Sequence, residues 1–355
     1  MSSIMTNASA LTALQSLNTT NKALQTTQAR ISTGYRVAEA MDNAAYWSIA
    51  TTMRSDNQAL STVQDALGLG ASKVDTAYTG MNKVLETVDQ IKIKLVAAYS
   101  ASDSDKAKIQ TEIEALQGQM KSYADAATFS GTNFLSVTSK QVAAANDGVQ
   151  ADAKIVSAFN RGADGKVTLG TIDVDVEGVK LFDSGLAAEV KNAGHLDRKT
   201  SVYSTVAAQT QYDTAYAASI AGGGTDIAAH TAGLAAVTGT PARVDNVSVH
   251  NLDIMATGVT NDIINQMISK VDEVLKDLTD VATTLGAAKK QIDLQKGFTT
   301  SLMDSIDRGV GQLVDADMNK ESTRLQALQV QQQLGIQALS IANSNSQNIL
   351  ALFKS

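Results

Sequence analysis

Apolar residues recur at helical spacing over most of the chain. From Ala44 to about Ser100 they fall at Ile49, Met53, Leu60, Val63, Leu67, Val74, Met81, Val84, Leu85, Val88, Ile91 and Leu95. Steps of three, four and seven put such side chains on one helix face. Gly68, Gly70 and Gly80 weaken this pattern locally. After the turn-prone run from Ser100 to Asp105, a second stripe follows at Ile109, Ile113, Leu116, Met120, Tyr123 and Ala127, with Asp105 the predicted N-cap. A third long helix is predicted from about Asn261 to Asp317. It carries Ile264, Val271, Leu278, Leu285 and Ile292, with Met267, Val274, Val281 and Ala288 at the companion positions, and continues less cleanly through Leu302, Ile306 and Leu313.

Between about Ser136 and Thr257 the stripes stop. Val167, Leu169 and Thr171 alternate with polar neighbours; then Ile172, Val174 and Val176 alternate with Asp173, Asp175 and Glu177, up to Gly178. That period of two predicts a half-buried strand. Val247 and Val249, followed by Leu252 and Ile254, predict another, and the Ala-rich run 205–237 fits either loop or short helix. The predicted architecture is mainly α: a long antiparallel helical bundle with coiled-coil character, built from both chain ends, with an inserted smaller outer domain of mixed or β structure. The predicted divisions are 1–35 with 322–355, 36–135 with 258–321, and 136–257.

The two ends have a texture of their own. Residues 1–29 carry one charge, Lys22, and residues 325–353 carry none. Ile4, Leu11, Leu14, Leu17, Leu24 and Ile31 nevertheless keep helical spacing at the start. At the far end a seam runs through Leu325, Leu328, Gln332, Gly335, Leu339, Ala342, Ser346, Ile349 and Phe353, in alternating threes and fours, and a shorter seam through Val330, Leu334 and Ile341. An ordinary coiled coil surrounds its seam with Glu and Lys; here Gln329, Gln331, Gln333, Gln337, Asn343 and Asn348 do so. Such helices are too polar for lipid and too poor in charge for a solvated surface. Two readings stand: a pair of weak, frayed terminal helices in an isolated monomer, or ends that become buried among other helices in an assembly, where a buried amide finds a hydrogen-bond partner without the desolvation cost of a charge. Their matching character predicts that the two ends pair.

Composition narrows the remaining classes. The chain has 355 residues, a net charge of −7, 44% hydrophobic and 18% charged residues, one proline and no cysteine. Average usage would give about 18 prolines in this length, so the near-absence favours long unbroken helices. Without cysteine there is no disulfide framework, thiolate metal site or cysteine nucleophile. The acidic balance argues against nucleic-acid binding, and no apolar run of 18 residues exists to span a membrane. No Lys or Arg precedes Lys22 and no apolar run of seven lies near the start, so a Sec-type signal peptide is not expected. Chemistry-bearing motifs are missing too. His195, His230 and His250 form no His-Glu-x-x-His zinc site, and Gly68-Leu69-Gly70 lacks the third glycine and preceding strand of a dinucleotide loop. Asp315 and Asp317, two apart on the predicted helix, face different directions. Asn246-Val247-Ser248 fits a glycosylation sequon of the kind that also arises by chance. The expected protein is not an enzyme and takes no cofactor or metal.

The segment Ile31-Ser32-Thr33-Gly34-Tyr35-Arg36-Val37, followed by Asp42-Asn43-Ala44-Ala45, closely resembles the N-terminal signature of bacterial flagellins. Val314-Asp315-Ala316-Asp317-Met318, the Gln-rich stretch from Leu328 to Leu339 and Ala342-Asn343 resemble the C-terminal signature. The resemblance covers about residues 1–135 and 258–355, and the run from Asn43 to Arg54 is most similar to flagellins of rhizobia-like alphaproteobacteria. Ala38-Glu39 and Tyr46 replace the Asn-Ser and Gly of the common pattern, and Ser346 replaces a usual proline.

The resemblance implies the structural subunit of a flagellar filament, extracellular, exported unfolded by the flagellar type III system and polymerised for swimming. Its implied partners are copies of itself, sister flagellins, an export chaperone, the export gate, and hook-associated and cap proteins, with no nucleic acid and no membrane. It also implies terminal segments that fold on polymerisation, with an assembly interface at Leu11, Leu14, Leu17, Leu24, Ile31, Leu325, Leu328, Leu339, Ile349 and Phe353. The signature residues carried over are Gly34, Arg36, Asp42, Asn43, Asp315, Asp317 and Asn343. Many flagellins are sensed by a Toll-like receptor through a segment resembling Gln-Arg-Val-Arg-Glu-Leu-Ala-Val. The equivalent here, Asp89 to Val96, has Gln90 for Arg, Ile93 for Glu and Lys94 for Leu, so weak or no activation is expected. The other readings are a hook–filament junction protein, which shares both signatures, and an exported coiled-coil adhesin, which would explain the helices alone.

Overall fold

The computed structural model describes residues 7–139, 150–162, 164–184, 193–224, 226–238 and 243–354, with side chains left out at 226–227 and 345–354. Pro241 and Ile4 lie outside the described residues, as do the side chains of Ser346, Ile349 and Phe353. The helices are α1 (Ala8–Thr33), α2 (Ala44–Tyr99), α3 (Asp103–Ala126), α4 (Val176–Val179), α5 (Val206–Ala221), α6 (Asp226–Ala236), α7 (Asn261–Val314) and α8 (Met318–Lys354). The strands are β1 (Thr128–Phe129), β2 (Thr132–Asn133), β3 (Ser136–Val137), β4 (Ala153–Arg161), β5 (Val167–Val174), β6 (Phe182–Asp183), β7 (Thr200–Tyr203) and β8 (Arg243–Val247). The chain divides into two compact units: residues 1–61 with 300–355, and residues 62–299.

The second unit holds the main core. Leu67, Val74, Met81, Val84, Val88, Ile91 and Leu95 of α2 are sealed from solvent, and so are Ile264, Val271, Leu278, Leu285 and Ile292 of α7. These are the stripes read from the sequence. The ion pairs of Asp75 with Lys289 and of Lys92 with Asp272 run in opposite chain senses, which fixes α2 and α7 as antiparallel. On α3 the stripe is broader than the apolar spacing predicts, because Gln110 and Gln117 are buried beside Ile113 and Met120. The Gln117 amide donates to the carbonyls of Val249 and Leu252 at 3.1 and 3.0 Å, and Gln110 Oε1 accepts from the Ile254 N–H at 3.0 Å. Two polar positions thus satisfy an irregular segment that has no sheet partner of its own. The predicted cap of α3 is also displaced: Ser102 is the N-cap, and Asp105 is the acid in the first turn that receives its hydroxyl.

Four two-stranded sheets form among the described residues: β1 with β2, antiparallel, ahead of the inserted middle, and within it β4 with β5 and β7 with β8 antiparallel and β3 with β6 parallel. The predicted strand from Val167 is β5; its buried face is Ile172 and Val174, while Val167 and Leu169 lie exposed. Val176 is buried too, but in the helical turn α4, because Asp175 caps that turn by accepting from the Gly178 N–H. The second predicted strand splits: β8 ends at Val247, a 3₁₀ turn spans Val249–Asn251, and Leu252 and Ile254 are buried in irregular chain. The Ala-rich run is helical, α5 and α6, packed around Tyr203, Tyr212 and Tyr216. Gly70 and Gly80 in α2 allow β4 and the end of α3 to approach closely, since a Cβ at the first would meet Ile155 at 2.5 Å and at the second Ala127 at 2.8 Å.

One buried charge cluster stands beside α4. Lys180, 1% exposed, pairs with Glu177 at 3.0 Å and Asp183 at 2.8 Å. Asp183 also accepts from the backbone N–H and hydroxyl of Ser139. Asp197 accepts from the Asp183 N–H at 2.9 Å, and burial pushes its carboxyl up to about 6. A carboxyl raised above its unfolded value contributes stability that is complete below the unfolded pKa of about 3.8 and is lost as pH rises through the folded one. Asp197→Asn should therefore raise the urea midpoint of the tyrosine-reported transition at about pH 7.5 and change it little near pH 4. Equal shifts at both pH values would show that Asp197 does not titrate in this window.

Candidate assembly site

The terminal helices α1 and α8 pack antiparallel in the first unit. Four contacts fix the register. Asn7 Nδ2 donates to the Ala342 carbonyl at 2.9 Å, and Gly335 lies against Leu17, where a Cβ would come within 3.2 Å of it. Gln332 Nε2 donates to Asn21 Oδ1 at 2.8 Å, and Arg30 pairs with Glu321 at 3.2 Å. The α8 residues turned from solvent are Glu321, Leu325, Leu328, Gln332, Gly335, Leu339 and Ala342, all half-buried except the buried Glu321 and Leu328. On α1 they are Ala10, Ala13, Leu17, Thr20, Asn21, Ala23, Leu24, Thr27, Arg30 and Ile31, of which Thr27 alone is fully buried. The contact is therefore narrow, built from small residues and amides.

The expected interface residues fall into two groups. Leu17, Leu24, Ile31, Leu325, Leu328 and Leu339 belong to the seam between the two helices. Leu11 and Leu14 point away from it, 59% and 45% exposed. Val330, Leu334, Ile336 and Ile341 of α8 are also more than half exposed. The paired helices leave an outer surface that is partly apolar and, Lys22 apart, uncharged over residues 8–29 and 325–344. Ile349 and Phe353 lie where side chains are not described.

The carried-over signature residues cluster at the two connectors that join these helices to α2 and α7. Gly34 ends α1 in the left-handed region, with φ 76°, and its N–H caps the Arg30 carbonyl. Tyr35 then forms an antiparallel bridge with Asp315, the Gly34 carbonyl accepts from the Ala316 N–H, and the Val314 carbonyl accepts from the N–H groups of Arg36 and Val37. The Arg36 guanidinium donates to the carbonyls of Gln312 and Leu313, placing a cation at the electronegative end of α7. Asp42 Oδ2 accepts from the N–H groups of Ala38 and Glu39, and Asn43 Oδ1 caps α2 by accepting from Tyr46. Asp317 caps α8: Oδ1 accepts from Asn319 and Lys320, and these backbone donors, that of Lys320 foremost, hold its carboxyl below the usual range. Asp315 and Asp317 thus sit in an extended connector, not on the helix expected there, because α7 ends at Val314. Beneath them Val37, Ala50, Val310 and Val314 form a small core. Asn343 stands apart, exposed on α8.

Sequence reasoning missed the Arg30–Glu321 pair and the Arg54 guanidinium stacked 4.8 Å over the Tyr35 ring. The first had a signal: Arg30 closes the charge-poor opening segment and Glu321 stands just ahead of the charge-free closing one. Antiparallel pairing brings those two boundaries together.

Residues 4–140 match the family model described as the bacterial flagellin N-terminal helical region, and residues 268–353 match its C-terminal counterpart. Flagellin C of Rhizobium meliloti (strain 1021) is 48% identical over the full length of both chains. The chain belongs to the bacterial flagellin family. A flagellin of Brucella melitensis biotype 1 is 45% identical and Flagellin A of Rhizobium meliloti 43%, again over the whole of both chains. As a flagellin, the chain is a structural subunit of the extracellular flagellar filament and not an enzyme. Flagellins polymerise with copies of themselves and with sister flagellins. The connectors and the terminal pair lie largely inside the two matched regions.

The left-handed backbone at Gly34 gives a direct test. No atom lies within 4 Å of the place a Cβ would occupy, so substitution costs backbone strain alone, about 1–2 kcal/mol for Ala. Melting of full-length protein should rank wild type above Gly34→Asn, which tolerates this conformation, and Gly34→Asn above Gly34→Ala. Equal melting temperatures for all three would contradict the role assigned to this connector.

Proposed function

We propose that the seam between α1 and α8 holds the subunit's own ends together, while their outer faces meet other subunits in the filament. One observation carries this reading: Leu11, Leu14, Val330, Leu334, Ile336 and Ile341 stand exposed on helices that hold no charge over residues 325–353 and one over residues 1–29. Exposed apolar surface without a charged surround is a liability in a free monomer and an asset in a polymer. In this reading residues 1–35 with 322–355 form the inner layer of the filament, 36–135 with 258–321 a surrounding shell, and 136–257 the outward face. The subunit is exported unfolded by the flagellar type III system, escorted by an export chaperone through the export gate, and added beneath a cap onto hook-associated proteins. The filament serves swimming. Absence of cysteine suits that passage, since no disulfide can trap the chain in transit.

Deletion of residues 1–20 or 335–355 should abolish filaments in seeded polymerisation, seen by electron microscopy, while the transition of residues 62–299 persists in denaturant. Filaments of normal length from either truncation would reject the assignment.

The receptor segment supports a second expectation. Ile91 and Leu95 are buried in the core, Gln90 and Ile93 are exposed, and Lys94 is engaged by Glu112 of α3. The exposed face thus offers an amide and an aliphatic chain where the sensed motif offers Arg and Glu. Reporter cells carrying the receptor should give little or no response to purified monomer. A response equal to that elicited by a flagellin with the intact motif would overturn this.

A further inference from the structure

Within residues 62–299 a cavity of about 370 Å³ lies between α7 and the inserted region, within the size range of small-ligand sites. Its floor is aliphatic, with Val247 and Val249 on one side and Val271 and Val274 of α7 on the other. Five charged side chains line it. Three of them satisfy one another: Lys270 Nζ reaches Asp213 at 2.8 Å and Glu273 at 3.0 Å. Arg198 and Asp277 are left over, one cation and one carboxylate, neither hydrogen-bonded through its side chain among the described residues.

His195 stands with them. Its Nε2 lies 3.1 Å from the Gly178 carbonyl, an acceptor only, so this nitrogen carries the proton and donates. Burial holds the imidazole pKa below its usual value, which keeps the ring neutral at pH 7. Nδ1 is therefore a bare lone pair, and it is buried with no hydrogen-bond partner among the described residues. Asp277 Oδ2 lies 4.0 Å from it, itself an acceptor. Two acceptors thus lie 4.0 Å apart with no donor shared between them, so one donor seated to the side of their line would serve both; the cavity is also lined by the Arg198 guanidinium, which has no side-chain partner among the described residues, and by the aliphatic floor.

We propose that this cavity binds an apolar α-amino acid as its zwitterion, the ammonium received by Asp277 and His195, the carboxylate by Arg198, and the side chain by the valine floor. The site is separate from the terminal helices, so filament assembly has no part in the test. An ordered water bridging Asp277 and His195 would satisfy the same two acceptors, and the ligand series distinguishes it.

Calorimetric titration of full-length monomer at about pH 7.5 should use L-phenylalanine, phenethylamine and 3-phenylpropanoate, which share a ring and differ in the charged ends. Phenylalanine should bind at least about tenfold more tightly than either single-ended compound. Arg198→Met should reduce phenylalanine to the affinity of phenethylamine, and Asp277→Asn to that of 3-phenylpropanoate. No saturable binding of phenylalanine to folded wild type would overturn the proposal, and so would equal affinity for the three compounds. Should a variant fail to fold, the three-compound comparison on wild type decides alone.

Discussion

The structure depends on two helices that cannot complete themselves. α1 and α8 come from opposite ends of the chain and meet along a seam of Ala, Gly, Thr, Gln and a few Leu side chains. A seam of that kind allows close approach but buries little apolar surface, and burial scales with stabilisation at roughly 25 cal/mol per Å². The amides do a different job. Gln332 on Asn21 and Asn7 on Ala342 set register without the desolvation cost of a buried ion. The one ion pair, Arg30 with Glu321, sits at the end nearest the connectors, where the seam is best buried.

Everything else in the first unit serves that pairing. For α1 to meet α8, two connectors over 270 residues apart in sequence must lie side by side and antiparallel. The Tyr35–Asp315 bridge and its flanking hydrogen bonds, between residues 34–37 and 314–316, hold them there. Gly34 supplies a conformation other residues resist, Arg36 neutralises the end of α7, and Asn43 and Asp317 start the next helices. Their common role explains why residues so distant in the chain form one signature. The second unit has a conventional apolar core and needs none of this.

What the sequence disclosed follows the strength of its periodicities. The α2 and α7 stripes were legible because one heptad position carries a large aliphatic residue without a break, from Leu60 to Leu95 and from Ile264 to Ile292. The α8 seam was legible despite its polar members, because threes and fours alternate through Gln332 and Gly335. Which face of α1 meets α8 was not legible: Leu11 and Leu14 keep the helical spacing yet lie off the seam, since apolar spacing alone does not say which of two faces meets the partner. The buried Gln110 and Gln117 were invisible, because their acceptors lie over 130 residues away in a turn with no local signal. The end of α7 at Val314 was missed for a related reason: no glycine or proline interrupts the chain there, and the break is imposed by pairing with Tyr35.

The central claim is that the outward face of α8 is a subunit contact rather than an idle surface. Seeded polymerisation of Ile341→Glu, followed by electron microscopy, tests it most directly, because residue 341 is 64% exposed and lies off the seam with α1. Monomer with wild-type helix content and thermal melting, and few or no filaments, is the expected result. Filaments of normal length and number from this variant would contradict it.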